Sequence, residues 1–351
     1  MRIAIDAMGG DHAPAEIVKG ARQALAANPE LELALVGDEA AILNCWPEAK
    51  DTERVWIEPA GEVIGMNEHP AMAYRKKKDA SITVATKLVK AGEADAVVSA
   101  GSTGAQMVAA LFGLGRIKGV DRPAIGSFMP TLKGPRFMLD IGANTDSDPE
   151  NLLQFAWMGR IYARHALGIE NPGVWLLSNG AEAEKGDERT QKAHQLLAES
   201  AGLNFRGNVE GRDILKGEAD IIVTDGFAGN VALKTMEGTG EAMFALMKEA
   251  FLSNTRSKLG AGLLKPALRE LKKKLDYEEY GGAPLLGVKG ISIVCHGSSR
   301  ARAIQVAIEK AAEWAASGFL AQLEGHDFAA SSVKKKARTE EAPAGGSGAR
   351  A

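Results

Sequence analysis

The sequence predicts an α/β protein, with a Rossmann-like, mostly parallel sheet flanked by helices. Short apolar runs such as 95–99 and 219–224 are typical of strands that are buried on both faces of a parallel sheet. Each run is followed by a turn that combines glycine with Ser, Thr, Asn or Asp, and then by a helix-favouring segment. This alternation predicts a doubly wound fold, in which ligands bind outside the carboxyl ends of the strands.

Composition limits the class of protein. The 351 residues, of which 45% are hydrophobic, are enough for one large α/β domain or two lobes, and we expect one catalytic domain over 1–330. A net charge of −3 gives no nucleic-acid signature. The chain begins with a predicted strand instead of a signal-peptide pattern, and its two cysteines are far apart in sequence, which favours a reducing cytoplasm.

The individual elements follow from apolar runs bounded by Gly, Pro and small polar residues. The predicted strands are 2–6, 31–37, 54–58, 95–99, 124–129, 136–140, 173–178, 205–209, 219–224 and 291–295. The predicted helices are 14–27, 81–91, one ending near 114, one starting at 149, 187–200, 211–215, 231–252 and 296–317. The segment 280–288 is predicted to be a tight apolar turn, and the composition of 331–351 predicts a disordered tail.

The turns at the strand ends suit a small anion. Gly9 and Gly10, and the Gly/Ser/Thr run 100–106, could direct backbone N–H groups or hydroxyls at a phosphate. Asp11 could equally be a helix cap, and His12 could be an acid, a base or simply a hydrogen-bonding residue.

The turn 225–230 is the clearest of these strand-to-helix turns. Gly226 and Gly229 permit close backbone approach, and Asn230 places an amide donor at the start of the next helix. An ordinary capped connection between strand and helix is an equally good interpretation of this turn alone. Lys185, in the loop after the strand 173–178, could meet phosphate as a compact cation or could be a surface lysine.

Known cofactor motifs are absent from the sequence. It has no Walker A loop, no G-x-G-x-x-G fingerprint and no His/Cys spacing for a metal, so we expect no cofactor and no structural zinc. Cys295 ends a strand, where a cysteine is more often buried and inert than nucleophilic.

Two basic segments could contact acidic partners. One is Arg75, Lys76, Lys77 and Lys78, which could also be a solvated face. The other lies in a helical tip at about 240–280, where leucines recur at helical spacing beside Lys and Arg. A basic amphipathic helix suits an anionic membrane surface, and packing on this subunit or another is an equally good alternative.

Six motifs together resemble the bacterial PlsX family of acyl-acyl-carrier-protein:phosphate acyltransferases, from Met1 to about Leu323. They are AMGGDHAP at 7–14, SAGSTGA at 99–105, DIGAN at 140–144, GFAGN at 226–230, YGGAPLLG at 280–287 and HGS at 296–298. Ser102 departs from the Asn expected in many relatives, but a hydroxyl keeps donor capacity. The resemblance implies a fold similar to phosphotransacetylases and isocitrate-type dehydrogenases, a homodimer, and peripheral contact with the inner face of the cell membrane.

The resemblance also implies the reaction: acyl carrier protein thioester and inorganic phosphate give acyl phosphate, which supplies a membrane glycerol-3-phosphate acyltransferase in phospholipid synthesis. Phosphate is itself a nucleophile, so no acyl-enzyme is needed. We predict that Lys185 and Asn230 are catalytic. The predicted phosphate and thioester contacts are Gly9, Gly10, Asp11, His12, Gly101, Ser102, Thr103, Gly104, Asn144, Asp225, Gly229 and His296. The predicted membrane tip is Leu259, Leu263, Leu264 and Leu268, and the predicted carrier-protein contacts are Arg75, Lys76, Lys77, Lys78, Lys265 and Lys272.

Three other functions compete with this one. A phosphotransacetylase would use acetyl-coenzyme A as donor, and a non-catalytic membrane scaffold would bind liposomes without consuming thioester. A decarboxylating dehydrogenase is less favoured, because no carboxylate metal cluster or Arg-rich substrate pocket is visible in the sequence.

Overall fold

A computed structural model describes residues 1–275 and 280–331, without the side chains of 272–275, 330 and 331. The strands are β1 Arg2–Asp6, β2 Glu32–Gly37, β3 Val55–Pro59, β4 Ala96–Ser99, β5 Ala124–Thr131, β6 Gly134–Leu139, β7 Val174–Ser178, β8 Phe205–Glu210, β9 Ile221–Val223, β10 Ala283–Leu286 and β11 Ile291–Val294. The helices are α1 Ala15–Ala27, α2 Glu39–Cys45, α3 Pro70–Lys76, α4 Ser81–Ala91, α5 Thr103–Ala109, α6 Pro149–Leu167, α7 Glu188–Glu199, α8 Gly226–Leu252, α9 Thr255–Leu275, α10 Ala301–Ala316, α11 Phe319–Gly325 and α12 Phe328–Ser331. The predicted tail lies outside the described residues, apart from its first residue at the end of α12.

The described strands form one sheet in the order β3-β2-β1-β4-β11-β10-β5-β6-β9-β7-β8. One parallel group contains β3, β2, β1, β4 and β11, and a second contains β6, β9, β7 and β8. Helices cover the faces, and the apolar core lies between them and the sheet. The predicted fold class, a mostly parallel α/β sheet flanked by helices, is confirmed.

The two parallel groups run in opposite directions, because the strands that join them are antiparallel. β10 is antiparallel to both β11 and β5, and β5 is antiparallel to β6. The predicted tight turn at 280–288 is therefore wrong, since Ala283–Leu286 is the strand that links the two groups. A four-residue run behind two glycines carries too little periodicity to be predicted as a strand.

The register of β10 brings the carboxyl ends of both groups together. Ala283 pairs with Val294 at the end of β11, while Leu285 pairs with Ile125 near the start of β5. The next residue of β5, Gly126, pairs with Leu139 at the end of β6. The carboxyl ends of the two groups therefore meet across a junction within the sheet and not at a single edge of it.

Candidate active site

A cavity of about 550 Å³ lies at this junction. The apolar lining residues include Ile125, Ile141, Leu233 and Val294, and Met66 also contributes. The polar and small lining residues come from the turns after β1, β4, β6 and β11, from the start of α5, from within β5 and from α8. They are Asp11, Gly101, Thr103, Ser127, Gly142, Asn230, Lys234, Glu237, Cys295, His296, Gly297 and Ser299. A lining with both apolar and polar groups suits a substrate that has an apolar part and an anionic part.

The turns after β1 and β4 approach each other closely. A Cβ on Gly9 would overlap the Asp6 carboxylate and lie 2.8 Å from the Gly101 nitrogen, so only glycine fits there. The Gly101 N–H donates to Ser99 Oγ at 3.0 Å, and Ser99 Oγ donates to Asp6 Oδ2 at 2.6 Å. Burial raises the pKa of Asp6, although its hydrogen bonds act in the opposite direction. The Gly101 backbone therefore forms part of the cavity lining, but its N–H donates to Ser99 and not to a ligand.

The residues of the turn 101–104 differ in their contacts. The Ser102 hydroxyl accepts from the Ala105 N–H at 3.3 Å as the cap of α5, and Thr103 is exposed to the cavity. Gly104 lies against Pro70 at the start of α3, a helix that the sequence did not reveal. Among the predicted contacts in this turn, Gly101 and Thr103 line the cavity.

The turn after β1 also contacts the turn after β11 at the cavity. The Asp11 N–H donates to the Gly297 carbonyl at 2.8 Å, which joins the turn after β1 to the turn after β11. His12 lies outside the lining, and its carbonyl accepts from the Glu16 N–H in the first turn of α1. The predicted final helix starts later than expected, at Ala301, so His296 lies in a turn.

His296 has a defined protonation pattern when its ring is neutral. The Ser298 N–H donates to His296 Nδ1 at 3.3 Å, and Ser298 Oγ lies 2.7 Å from the same nitrogen. Because a backbone N–H can only donate, Nδ1 is an acceptor and the ring proton belongs on Nε2. His296 lines the cavity with its neutral ring in this tautomer.

The loop after β6 is organised by a buried carboxylate. Asp140 accepts from the N–H groups of Gly142, Ala143 and Asn144 at 3.1, 3.0 and 2.7 Å. Burial raises the pKa of Asp140, again against its hydrogen bonds. The Asn144 amide donates to the Pro123 carbonyl at 2.7 Å and to Asp140 at 2.9 Å, so it holds the loop, while Gly142 faces the cavity.

Helix α8 begins at Gly226, five residues before the predicted start, because Asp225 caps it. Asp225 Oδ1 accepts from the Phe227 and Ala228 N–H groups at 3.0 Å each, and Oδ2 accepts from Arg189 at 3.1 Å. These helix N–H groups are therefore occupied by the cap, which corrects the expectation that they face an anion. Asn230 belongs to the second turn of α8 and not to the helix start, which was its predicted position.

The start of α8 packs directly on the loop after β6. A Cβ on Gly229 would overlap the Asp140 carbonyl oxygen, so this close approach requires glycine. Asn230 Nδ2 then donates to the Ile141 carbonyl at 3.0 Å, and its side chain lines the cavity. An amide nitrogen carries two hydrogens, so this anchored side chain can also donate to a ligand.

Lys234 and Glu237 were missed as site residues. Both line the cavity, and the Lys234 ammonium donates to Glu237 Oε2 at 2.8 Å. Their spacing from Asn230, four and seven residues along α8, is the signal that places all three on one helix face.

Lys185 does not belong to the lining of this cavity. It is exposed in the loop between β7 and α7, with its side chain against Gly180. The loop is held by Gln191, which donates to the carbonyls of Glu184 and Gly186, and it leads into α7, whose Arg189 binds Asp225. The structure thus ties this loop to the start of α8 without bringing Lys185 to Asn230.

The predicted membrane tip lies on a pair of helices, α8 and α9. Leu259, Leu263 and Leu264 are 74%, 81% and 50% exposed, while Leu268 is half-buried. Lys265 is exposed, and the Lys272 side chain lies outside the described residues. Within the described residues, no helix has both the length and the apolarity needed to cross a bilayer.

The other basic segment flanks α3. The Lys77 ammonium donates to the Val63 carbonyl and to Glu68, so it secures its own loop. Arg75, Lys76 and Lys78 are exposed, and Lys78 lies over the Tyr74 ring at 5.0 Å from the centroid. In the described parts of the chain, no group of three His, Cys, Asp or Glu side chains is arranged to hold a metal ion.

The chain is an α/β protein whose fold is similar to those of solved phosphotransacetylases. The chain is similar to EutD phosphotransacetylase from Staphylococcus aureus, with a TM-score of 0.59 and 19% identity over 90% of this chain and 94% of that one. It is also similar to a branched-chain phosphotransacylase from Enterococcus faecalis, with a TM-score of 0.57 and 16% identity over 90% and 99% of the two chains. At these identities the likeness concerns the fold alone.

Sequence comparison identifies the family. Residues 1–322 match the family model described as fatty acid synthesis protein. The chain is 57% identical over 324 residues to a phosphate acyltransferase from Desulfitobacterium hafniense, covering 92% of this chain and 96% of that protein. It is 56% identical over 328 residues to a phosphate acyltransferase from Heliobacterium modesticaldum, covering 93% and 97%. The chain therefore belongs to the PlsX family, which confirms the resemblance found in its motifs.

Proposed function

We propose that this protein is a phosphate acyltransferase that transfers an acyl chain from acyl carrier protein to inorganic phosphate. The observation that carries the proposal is the cavity, whose lining combines Asn230 and His296 with apolar side chains at the junction of the two strand groups. Relatives more than half identical over nearly their whole length are named phosphate acyltransferases. The apolar lining residues suit the acyl chain, and the polar lining residues suit phosphate.

The proposed reaction needs no covalent enzyme intermediate. A phosphate oxygen attacks the thioester carbon, and the carbonyl oxygen becomes an oxyanion. The oxyanion then reforms the carbonyl, the carbon–sulfur bond breaks, and the carrier thiolate takes the proton lost by the phosphate. The products are acyl phosphate and free carrier thiol, and the same steps run in reverse. Orientation and charge stabilisation supply the acceleration.

Asn230 is the best placed donor for this chemistry. Its amide is anchored by the Ile141 carbonyl at 3.0 Å, so the remaining N–H has a fixed direction when phosphate or the oxyanion arrives. His296 can donate from Nε2 to the oxyanion or to the leaving sulfur. In this proposal Lys185 approaches the phosphate through movement of its exposed loop, and that role remains a prediction.

The acidic carrier protein is proposed to dock on α3. This helix packs on α5 beside the cavity, and it presents the exposed cations Arg75, Lys76 and Lys78. Met72 and Phe112 are exposed next to them, and Phe112 stacks on Tyr74 with centroids 6.1 Å apart. A basic rim around an apolar patch is complementary to an acidic amphipathic helix.

The protein is also proposed to be a cytoplasmic homodimer that binds the inner face of the cell membrane. The exposed leucines of the tip support membrane contact, since an apolar helix face with neighbouring lysines can enter the headgroup region. Phe227, Val231, Met243 and Leu246 leave apolar surface exposed on α8, which supports association with a second copy. From this position the acyl phosphate would pass to a membrane glycerol-3-phosphate acyltransferase.

The direct test is to incubate the protein with a purified acyl carrier protein thioester, with and without phosphate. We expect phosphate-dependent loss of thioester and an acyl phosphate signal by phosphorus NMR. Hydroxylamine, added after the carrier protein is removed, should trap the product as a hydroxamate. Faster turnover with acetyl-coenzyme A than with the carrier thioester would favour a phosphotransacetylase. Liposome binding without thioester loss would favour a scaffold.

A further inference from the structure

We propose that Lys234 is the cation that holds inorganic phosphate in this cavity, and that Glu237 competes with phosphate for it. The inference rests on the proposed function and assigns the phosphate site within it. Among the described residues that line the cavity, Lys234 is the one lysine, and no arginine is present. The lining also carries the carboxylates of Asp11 and Glu237.

The charges of the cavity favour such a group. Near neutral pH inorganic phosphate carries between one and two negative charges, and two carboxylates in the same cavity repel it. A cation compensates both this repulsion and the hydration that phosphate loses in a partly desolvated site. Lys185 is exposed outside this lining, so Lys234 is the cation that the cavity itself provides.

Helical spacing places Lys234 on the same face of α8 as the anchored amide. Asn230 and Lys234 are four residues apart in one helix, and side chains at this spacing are neighbours on one face. In this structure the Lys234 ammonium donates to Glu237 Oε2 at 2.8 Å, and in the proposal it turns from Glu237 toward Asn230 when phosphate binds. A phosphate between them would accept from the Asn230 amide on one side and from the Lys234 ammonium on the other.

The contact with Glu237 is weak enough to be exchanged. The Lys234 and Glu237 side chains are 48% and 20% exposed, and ion pairs that reach solvent add little to stability. Phosphate can therefore replace Glu237 as the partner of the Lys234 ammonium with little loss of stability. In the unliganded protein Glu237 lowers the availability of the cation, so its charge weakens phosphate binding.

Two substitutions give opposite expectations. Lys234→Met should raise the KM for phosphate and weaken phosphate binding about tenfold or more, because a hydrogen bond to a charged group is lost. Glu237→Gln should lower the KM for phosphate about threefold, because the competing charge is removed. The KM for the carrier thioester should change by less than about twofold in both, because the carrier does not use this cation.

The matched control is the Lys310–Glu313 pair of α10, which has the same spacing and lies outside the cavity lining. Lys310→Met and Glu313→Gln should leave both KM values unchanged. Equilibrium binding of inorganic phosphate, followed by phosphorus NMR, gives a readout that does not depend on turnover. If the wild-type protein binds phosphate but makes no acyl phosphate, the proposed function fails and the phosphate site stands.

Three results would overturn the assignment. One is unchanged phosphate binding and KM in Lys234→Met. Another is weaker phosphate binding in Glu237→Gln, which would show that the pair acts through structure and not through competition. The third is a raised KM for the carrier thioester alone in Lys234→Met, which would show that Lys234 contacts the carrier thioester and not phosphate. Because Glu237→Gln keeps the lysine, its sign decides the question even if Lys234→Met does not fold.

Discussion

Asp225 precedes the first residue of α8, the helix that carries Asn230. Substitutions of Asp225 can distinguish two roles of its carboxylate, as a helix cap and as a substrate contact. As a cap, Asp225 accepts from two helix N–H groups at 3.0 Å and from Arg189 at 3.1 Å. As a substrate contact, which the sequence suggested, it would need its negative charge in the cavity. Asp225→Asn keeps a capping oxygen and loses the charge, whereas Asp225→Ala loses both.

The structure sets the size of the two effects. The Asp225 side chain is 9% exposed and that of Arg189 is 27% exposed, so the ion pair is largely sheltered. Loss of the cap costs about 1–2 kcal/mol. Loss of the Asp225 carboxylate as a partner of Arg189 costs about 1 kcal/mol more, because Asp187 Oδ2 still accepts from Arg189 at 3.3 Å. Asp225→Ala should therefore lose about 2–3 kcal/mol of unfolding free energy. Asp225→Asn should lose about 1 kcal/mol, because asparagine caps as well as aspartate.

The assay is urea unfolding of the wild-type protein and both variants, together with turnover under conditions where each is folded. We expect Asp225→Asn to keep most of its turnover. Equal loss of stability in the two variants would contradict the capping role. Stable Asp225→Asn with turnover as low as that of Asn230→Ala would place the carboxylate on the substrate.

Four further predictions concern the site, the buried Asp6 and the tip. Asn230→Ala should lower acyl phosphate formation about 100-fold with unchanged urea unfolding. Lys185→Ala should do the same if its loop closes on phosphate, and near-wild-type turnover in both would remove these assignments. Burial raises the pKa of Asp6 in the native state above the ordinary aspartate pKa of about 4. As the pH rises above about 4, the unfolded state loses the Asp6 proton before the native state does, so the free energy of unfolding falls. Asp6→Asn should therefore gain stability relative to wild type as the pH rises from about 4 toward the raised native pKa, and a constant difference in urea unfolding over this rise would contradict the reasoning. Leu263→Glu should reduce sedimentation with anionic liposomes and leave soluble turnover unchanged; unchanged sedimentation would count against the membrane tip.

Local patterns were enough to predict the fold class and part of the site. Buried strands followed by glycine-rich turns identified an α/β sheet, and the cavity contains Asn230, Thr103 and His296 from those turns. Gly226 and Gly229 were predicted to permit close backbone approach, and both lie where a Cβ would overlap a neighbouring backbone atom.

The parts that could not be predicted depend on contacts between distant segments. The reversal of strand direction arises from the pairing of Ala283–Leu286 with strands on both sides, which no local pattern reveals. Asn144 and Asp225 resemble phosphate ligands in sequence. The Asn144 amide instead donates to the Asp140 carboxylate of its own loop and to the distant Pro123 carbonyl, and Asp225 accepts from backbone N–H groups of its own turn. Such short-range bonding is usual for Asn and Asp, so a structural role was the alternative to weigh more heavily.

The most direct test of the central claim is a crystal structure of the wild-type protein soaked with inorganic phosphate. The account predicts tetrahedral density in the cavity, between the Asn230 amide and the Lys234 ammonium. Phosphate bound elsewhere, with this cavity empty and the same preparation making acyl phosphate in solution, would contradict it.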